Sequence, residues 1–323
     1  MPWRFSADVR PYAIQVWDLL AADPARYTVA LTVLDAVRDG RRRSDVDMLF
    51  GWYSDDRDSD APVTGAVCMT PPYELLLAEV PDAATAELVD ALRADGVALP
   101  GVVGEAGTVD RFVALWTAGT GGTPGGVSSG PPGGVSSWRS GGTPGGPPGG
   151  TSSGPPGGTS SGPPRMRQRL YRLGTVHSPP APPGEAGLAG PEDVVLVANW
   201  FAAFQREAGA TPVDVEPIAR EGVADRLIWL WRNPSGAVVS LAGRTRVVAT
   251  VARVGPVYTP PVWRRRGYGA AVTAACTQDA LHAGAAGVVL FTDLANPTSN
   301  EIYQRLGYLP LHDHQVVRFR DGA

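Results

Sequence analysis

The chain has 323 residues, of which 43% are hydrophobic and 19% charged, proportions of a globular protein with room for two ordinary domains. A formal charge of −4 gives no polyanion-binding footprint, so nucleic acid is not an expected partner. Lysine is absent, and the remaining bias toward Arg, Ala, Gly, Pro and Val suggests a GC-rich bacterial genome.

The opening residues, Met1 to Asp8, hold no apolar signal core, and no window approaches the roughly 20 apolar residues that span a bilayer. A cytoplasmic protein with no membrane partner is expected. From Thr28 to Asp39, Ala30, Val33, Leu34 and Val37 fall at helical spacing, with Gly40 as a stop signal. Asp47 to Tyr53 and Pro62 to Thr70 read as strands around an acidic turn (Asp55, Asp56, Asp58, Asp60) that lacks the glycine and glutamate of a calcium loop. Tyr73 to Val80 is a further apolar segment. Asp82 and Thr108 are positioned to cap helices running to Ala94 and Trp116.

Residues 118–164 are low-complexity repeats rich in Gly, Pro and Ser, unable to pack a core, and are expected to be a disordered insertion. Met166 to Leu173 then alternates polar and apolar as a half-buried strand does. We assign it to the first domain, which thus spans 1–178 with the repeats interrupting it. Residues 179–184 form a Pro-rich linker, and a second domain covers 185–323.

In that second domain, Pro191-Glu192-Asp193 opens a helix whose apolar stripe is Val197, Trp200, Phe201 and Phe204. Leu227–Trp231 and Ala237–Ala242 flank the turn Asn233-Pro234-Ser235-Gly236 as a hairpin. A long β-branched strand, Val247 to Val257, leads through Arg264-Arg265-Arg266-Gly267-Tyr268-Gly269 into an alanine-rich helix from Ala270 to Ala283. Val288–Phe291 is a buried strand, Asn296-Pro297 opens another helix that stops at Gly307, and two short strands, about 308–311 and 315–320, end the chain.

The glycine turn is the chemical centre of this pattern. Gly267 and Gly269 let the backbone approach a ligand, and the following helix start presents converging N–H groups with the positive end of its dipole behind them. Such a point binds phosphate. Three arginines add forked donors. No Gly-Lys-Ser/Thr is present for a P-loop, and the turn comes too late for a dinucleotide fold. Cys68 and Cys276, the only cysteines, have no metal-ligand spacing, so no metal is expected.

The order of hairpin, long strand, Arg264-x-x-Gly267-x-Gly269, helix, buried strand and Asn296…Tyr303…Gly307-Tyr308 resembles the GCN5-related N-acetyltransferase (GNAT) family. The resemblance implies an α/β (α+β) fold with a central mixed, mainly antiparallel sheet flanked by helices, and acetyl-CoA as co-substrate. By that resemblance, the amides of Val257 and Thr259 would pair with the pantetheine arm. Arg264, Arg265, Arg266, Gly267, Tyr268, Gly269 and Ala270 would hold the pyrophosphate. Asn296 or Asn300 would bond the arm, and Tyr303 would protonate the leaving thiolate.

Elementary chemistry agrees, because a neutral tyrosine keeps its proton at pH 7 and has an acidity comparable to a thiol's. Tyr303 lies seven residues after Asn296, about two helical turns, which puts both on one face. The general base is open: Val247 to Trp263 holds no acid, leaving Asp293, with Glu216 and Glu221 as alternatives. The first domain has the content of a degenerate second copy without the glycine turn, expected to shape the pocket for a small-molecule or peptide amine. Three readings follow: an acetyltransferase, an acyl-CoA sensor without catalysis, or a tandem enzyme of the mycothiol-synthase type.

Overall fold

A computed structural model describes residues 3–42, 46–55, 61–118 and 165–319. The repeats at 119–164 and Asp56, Asp58 and Asp60 of the acidic turn lie outside the described residues. The N-terminal half supplies β1 (Trp3–Ser6), α1 (Val9–Ala21), α2 (Thr28–Arg38), β2 (Leu49–Ser54), β3 (Val63–Met69) and β4 (Leu75–Glu79). It continues with α3 (Thr85–Ala94), β5 (Gly101–Glu105), α4 (Ala106–Ala118) and β6 (Arg165–Leu173). The C-terminal half supplies β7 (Glu185–Leu188), α5 (Val194–Ala208), α6 (Glu216–Ala224), β8 (Ile228–Arg232), β9 (Val238–Arg244) and β10 (Val251–Tyr258). Then come α7 (Tyr268–His282), β11 (Gly287–Asp293), α8 (Pro297–Arg305) and β12 (Tyr308–Arg318).

The twelve strands of the described residues form one sheet in the order β1-β2-β3-β4-β5-β12-β6-β11-β10-β9-β8-β7. Only β4–β5 and β10–β11 pair in parallel; the other neighbours are antiparallel. Helices cover both faces. Successive residues of β8 and β9 show the division: Leu230 and Leu241 pack under α5 and α6, while Trp231 and Ala242 pack under α7. This is the mixed, mainly antiparallel sheet expected from the GNAT resemblance.

The sequence pattern and the structure differ in how the halves join. β6, which we placed with the first domain, lies between β11 and β12 of the second, and β12 lies between β5 and β6. The halves therefore share a continuous hydrogen-bonded sheet. Leu170 and Tyr171 of β6 are fully buried by this exchange. Two further differences are local. The run expected as one strand from Val247 begins instead with a two-residue turn, because Ala249 and Thr250 take positive φ and Val248 pairs with Val251. The two terminal strands are one bulged strand, irregular between Pro310 and His312, where proline has no N–H to offer.

The exchange sets a condition on any dissection of the molecule. Residues 185–323 alone lack β6, exposing facing edges of β11 and β12, whereas 165–323 retains it. Burying an aliphatic side chain such as Leu170 contributes about 1.5–3 kcal/mol, a large part of a marginal total of about 5–15 kcal/mol. A circular-dichroism melt is expected to show a cooperative transition for 165–323 and a broad or missing one for 185–323. Equal transitions would show that β6 is dispensable.

Candidate functional site

The site begins where β10 and β11 part. They pair in parallel from Val251–Gly287 to Val254–Leu290, and no further. On its other side β10 is irregular against β9 between Val254 and Val257, where Gly255 and Pro256 intervene and Pro256 has no N–H for either neighbour. Past this irregularity the strands enclose a cleft of about 710 Å³, lined by Val254 to Thr259 on one side and Phe291 to Asp293 on the other. Such a gap exposes strand backbone to an extended ligand arm.

The pyrophosphate end expected from the sequence lies at the mouth of this cleft. Gly267, at φ +83°, caps α7. Arg265, at φ +60°, makes a second left-handed step just before it. Alternation of this kind turns successive amides inward. Among the described residues no backbone carbonyl takes the amides of Arg265, Arg266 or Gly267. The next three amides belong to the first helical turn, which has no partners of its own. Gly269 and Ala270 line the cleft, as does Tyr268, whose ring is buried edge-on to Trp263.

The three arginines divide. Arg265 lines the cleft and makes no ion pair or hydrogen bond among the described residues. Arg264 also lines it, donating from Nε to the Thr259 carbonyl at 2.8 Å and pairing through Nη2 with Glu207 at 2.5 Å. Arg266 stacks over Trp263, 5.1 Å from its ring centre, and is not part of the lining. Val257, paired with Ala242, and Thr259, whose hydroxyl meets Ser240 Oγ at 2.8 Å, both line the gap.

At the other end α8 carries the remaining residues. Asn296 caps the helix, accepting from the Ser299 amide at 3.1 Å, and lines the cleft. Asn300 does not. Its amide donates to the carbonyls of Asp293 (2.9 Å) and Asn296 (2.7 Å), and its oxygen accepts from the Tyr171 hydroxyl at 2.9 Å. Both of its amide hydrogens and one acceptor site of its oxygen are engaged within the fold, so it ties α8 to β11 and β6.

Tyr303 is 9% exposed and lines the cleft, with no hydrogen-bond partner for its hydroxyl among the described residues. Burial pushes that hydroxyl up to about 12, which keeps it protonated across the physiological range. Its ring meets Tyr308 edge-on, and Tyr308 is fixed by a 2.6 Å hydrogen bond with Thr277. The glycine before Tyr308 is required: Gly307 has φ +94°, and a Cβ there would fall 1.8 Å from the Thr175 carbonyl oxygen.

Of the acids considered for the base, Asp293 lines the cleft, with Oδ1 accepting from the Ala295 amide at 2.8 Å. Glu216 and Glu221 sit instead on a separate hollow along α6, Glu221 3.6 Å from Arg41. Sequence reasoning missed Glu207, at the end of α5, which lines the cleft and also accepts from the Tyr258 hydroxyl at 3.0 Å. It missed Met166 and Gln168 as well, since only the exchanged position of β6 brings them here. Behind Phe291 stands His314, ring centres 5.1 Å apart. Its Nε2 is buried with no partner among the described residues, and burial lowers its pKa to about 4, so it is neutral at pH 7.

The N-terminal half repeats the opening but closes it. β4 and β5 pair only from Leu75–Val102 to Leu77–Gly104, and the residues past the parting are Glu79 and Glu105. Arg26 bridges them, with Nε 2.5 Å from Glu105 and Nη2 3.1 Å from Glu79, while the Tyr27 hydroxyl donates to Glu79 at 2.6 Å. The helix that follows has no glycine turn, and Asp82 and Glu87 stand in the first turns where α7 presents bare amides. Acids there repel phosphate.

Residues 229–317 match the family model described as FR47-like protein. No curated protein matches the sequence. Among solved structures the chain is similar to a Drosophila protein, at 13% identity and a TM-score of 0.61 over 100% of this chain and 99% of that one. It is also similar to a GCN5-related N-acetyltransferase from Sphaerobacter thermophilus (14%, TM-score 0.55, 98% and 95% covered). A third is an acetyltransferase from the GNAT family of Colwellia psychrerythraea (10%, 0.52, 99% and 100%). At these identities the likeness is one of fold, and its full-length coverage includes the N-terminal half.

The engagement of Asn300 yields a test. Asn300→Ala removes three hydrogen bonds, expected to cost about 2–4 kcal/mol of stability in a denaturant titration, with the Kd for acetyl-CoA changed less than about threefold in the folded protein. A large loss of affinity at unchanged stability would return Asn300 to the ligand.

Proposed function

We propose that this protein is a GNAT-type enzyme that transfers the acetyl group of acetyl-CoA to an amine, within the cleft between β10 and β11. The observation that carries the reading is the alignment of one channel: an amide cradle at the start of α7, an opened strand beside it, and the Tyr303 hydroxyl at its far wall. Charge that develops on a thioester carbonyl oxygen needs a fixed donor, and strand backbone past the irregularity of β10 offers one. The amine nitrogen forms the new C–N bond, the C–S bond breaks, and Tyr303 gives its proton to the departing sulfur. The amine's own proton passes to Asp293 directly or through water. Glu207 is the second acid in the lining, and it is held by Arg264 and Tyr258.

Because the buried Tyr303 hydroxyl lies near 12 and a thiol near 8.5, proton transfer after the thiolate has formed would run uphill. Transfer in step with C–S cleavage avoids that, as general acids do. The sensor reading draws support from a different observation: the opened strand carries no carboxylate, and the acids of the cleft stand on neighbouring elements.

Full-length protein titrated with acetyl-CoA in a calorimeter is expected to bind it, and a panel of amines is expected to release CoA. Tyr303→Phe should lower kcat by about 10²-fold or more while leaving the Kd for acetyl-CoA within about threefold. The tyrosine's raised pKa protects the proton, so wild-type kcat should show no alkaline fall that Tyr303→Phe abolishes below about pH 11. Binding without CoA release from any amine would favour the sensor.

A further inference from the structure

The cleft passes through the sheet, and its two mouths differ in chemistry. Leu290 packs with Tyr303 in the cluster under α7, so Phe291, the next residue of β11, faces the other way, where it packs with Ala25 of the α1–α2 loop. Asp293 lies two residues further on and shares that face. Gln168, its antiparallel partner on β6, shares it too, followed by Met166. Over the same face the end of α5 brings Phe204, which packs in the cluster of Tyr258, and Glu207, which accepts from the Tyr258 hydroxyl. All six side chains line the cleft. The amide cradle for the cofactor's charged end stands at the start of α7, on the opposite face, so the mouth beside α5 is the one left for the acceptor.

That mouth combines apolar surface with carboxylates. Phe204, Phe291 and Met166 are half-buried and keep apolar surface on the cleft. A ligand with an apolar body removes that surface from water, which favours its binding. The acids of the lining are Glu207 and Asp293, and its cations are Arg264 and Arg265. Arg264 is taken by Glu207 at 2.5 Å, and Arg265 belongs to the turn that leads into α7. Asp293 has no ion pair among the described residues and accepts from the Ala295 amide at 2.8 Å. An ammonium is therefore drawn to this mouth. A carboxylate on the same molecule would meet like charge there, with the nearer arginine already engaged.

We propose that the acceptor is a primary amine with an apolar body and no acidic group, its body against Phe204, Phe291 and Met166 and its ammonium drawn in by Asp293. This rests on the acetyltransferase reading and names the substrate class for that same cleft. Aromatic faces suit a cation as well as an apolar chain, so both parts of such a molecule find a partner. The entering ammonium passes one proton through Asp293 to solvent, and the neutral amine then reacts as described above.

The experiment uses the full chain and four acceptors: phenethylamine; phenylalanine, which adds a carboxylate; ethylamine, which lacks the ring; and glucosamine, whose body is polar. Titrated calorimetrically into protein saturated with CoA, phenethylamine is expected to bind at least about tenfold tighter than each of the others. The kcat/KM values with acetyl-CoA should rank the same way. Amine ionisation alone would favour phenylalanine, whose α-amine is the less basic, so it cannot produce this order. Phe204→Ala should narrow the gap between phenethylamine and ethylamine at least about threefold, and Phe204→Leu should restore part of it. A Kd for acetyl-CoA within about threefold of wild type shows that the site of both variants is intact. Glu207→Gln removes a like charge and frees Arg264, so it should narrow the gap between phenethylamine and phenylalanine at least about threefold, through phenylalanine. Phenylalanine, ethylamine or glucosamine bound as tightly as phenethylamine overturns the inference. So do gaps that survive these variants. CoA bound but no phenethylamine bound overturns it while leaving the cofactor site standing. Failure to bind acetyl-CoA overturns the acetyltransferase reading itself.

Discussion

The candidate site depends on one interrupted pairing. A parallel ladder between β10 and β11 would run on if the chain allowed it. Instead β10 goes out of register with β9 between Val254 and Val257, and Pro256 has no N–H to give. The two strands part, and the gap is a cleft of about 710 Å³ through a sheet otherwise closed by hydrogen bonds. The cost of interrupting the ladder is met by packing on either side. Ala252, Val254, Val288 and Leu290 are buried against α7 just before the parting, and Tyr258 is buried under α5 just after it.

The same interruption occurs twice, and the comparison isolates what makes one copy receptive. Past the parting of β4 and β5 stand two carboxylates bridged by an arginine from the α1–α2 loop. Past the parting of β10 and β11 the cleft stays open, and the arginine at its mouth, Arg265, has no ion pair or hydrogen bond among the described residues. The helix starts differ in the same sense: acids at α3, bare amides and a left-handed glycine at α7. Opposite charge choices on one backbone plan thus give a sealed half and a receptive one. The sealed half is nevertheless joined to the site, because β6 and β12 are exchanged between the halves and the α1–α2 loop roofs the floor of the cleft.

How much of this was legible in the sequence follows from the range of each interaction. The glycine turn, the helix behind it and the strand–helix order were legible because they are written in neighbouring residues: Gly267 and Gly269, a β-branched run before, an alanine run after. The parting of the strands was not, since it depends on register between segments some 35 residues apart. The place of β6 was still less so. Its alternation marks a half-buried strand but says nothing of which neighbours it finds. Asn300 shows another limit. The family resemblance offered Asn296 or Asn300 for the cofactor's arm, and nothing local in the sequence reveals that the hydroxyl of Tyr171, 129 residues earlier, donates to the Asn300 oxygen. Glu207 was invisible for a similar reason, as one acid at the end of an aromatic helix looks like a surface charge.

Arg253 carries this argument to its limit. In sequence it is one polar residue inside an apolar run, which the alternation of a strand explains without any function. Only the pairing with Val289 puts it on the face of the sheet opposite α7, where its Nη1 is buried with no partner among the described residues. One strand's alternation tells which residues share a face; which segments pack over that face is set by register with strands far away in the chain.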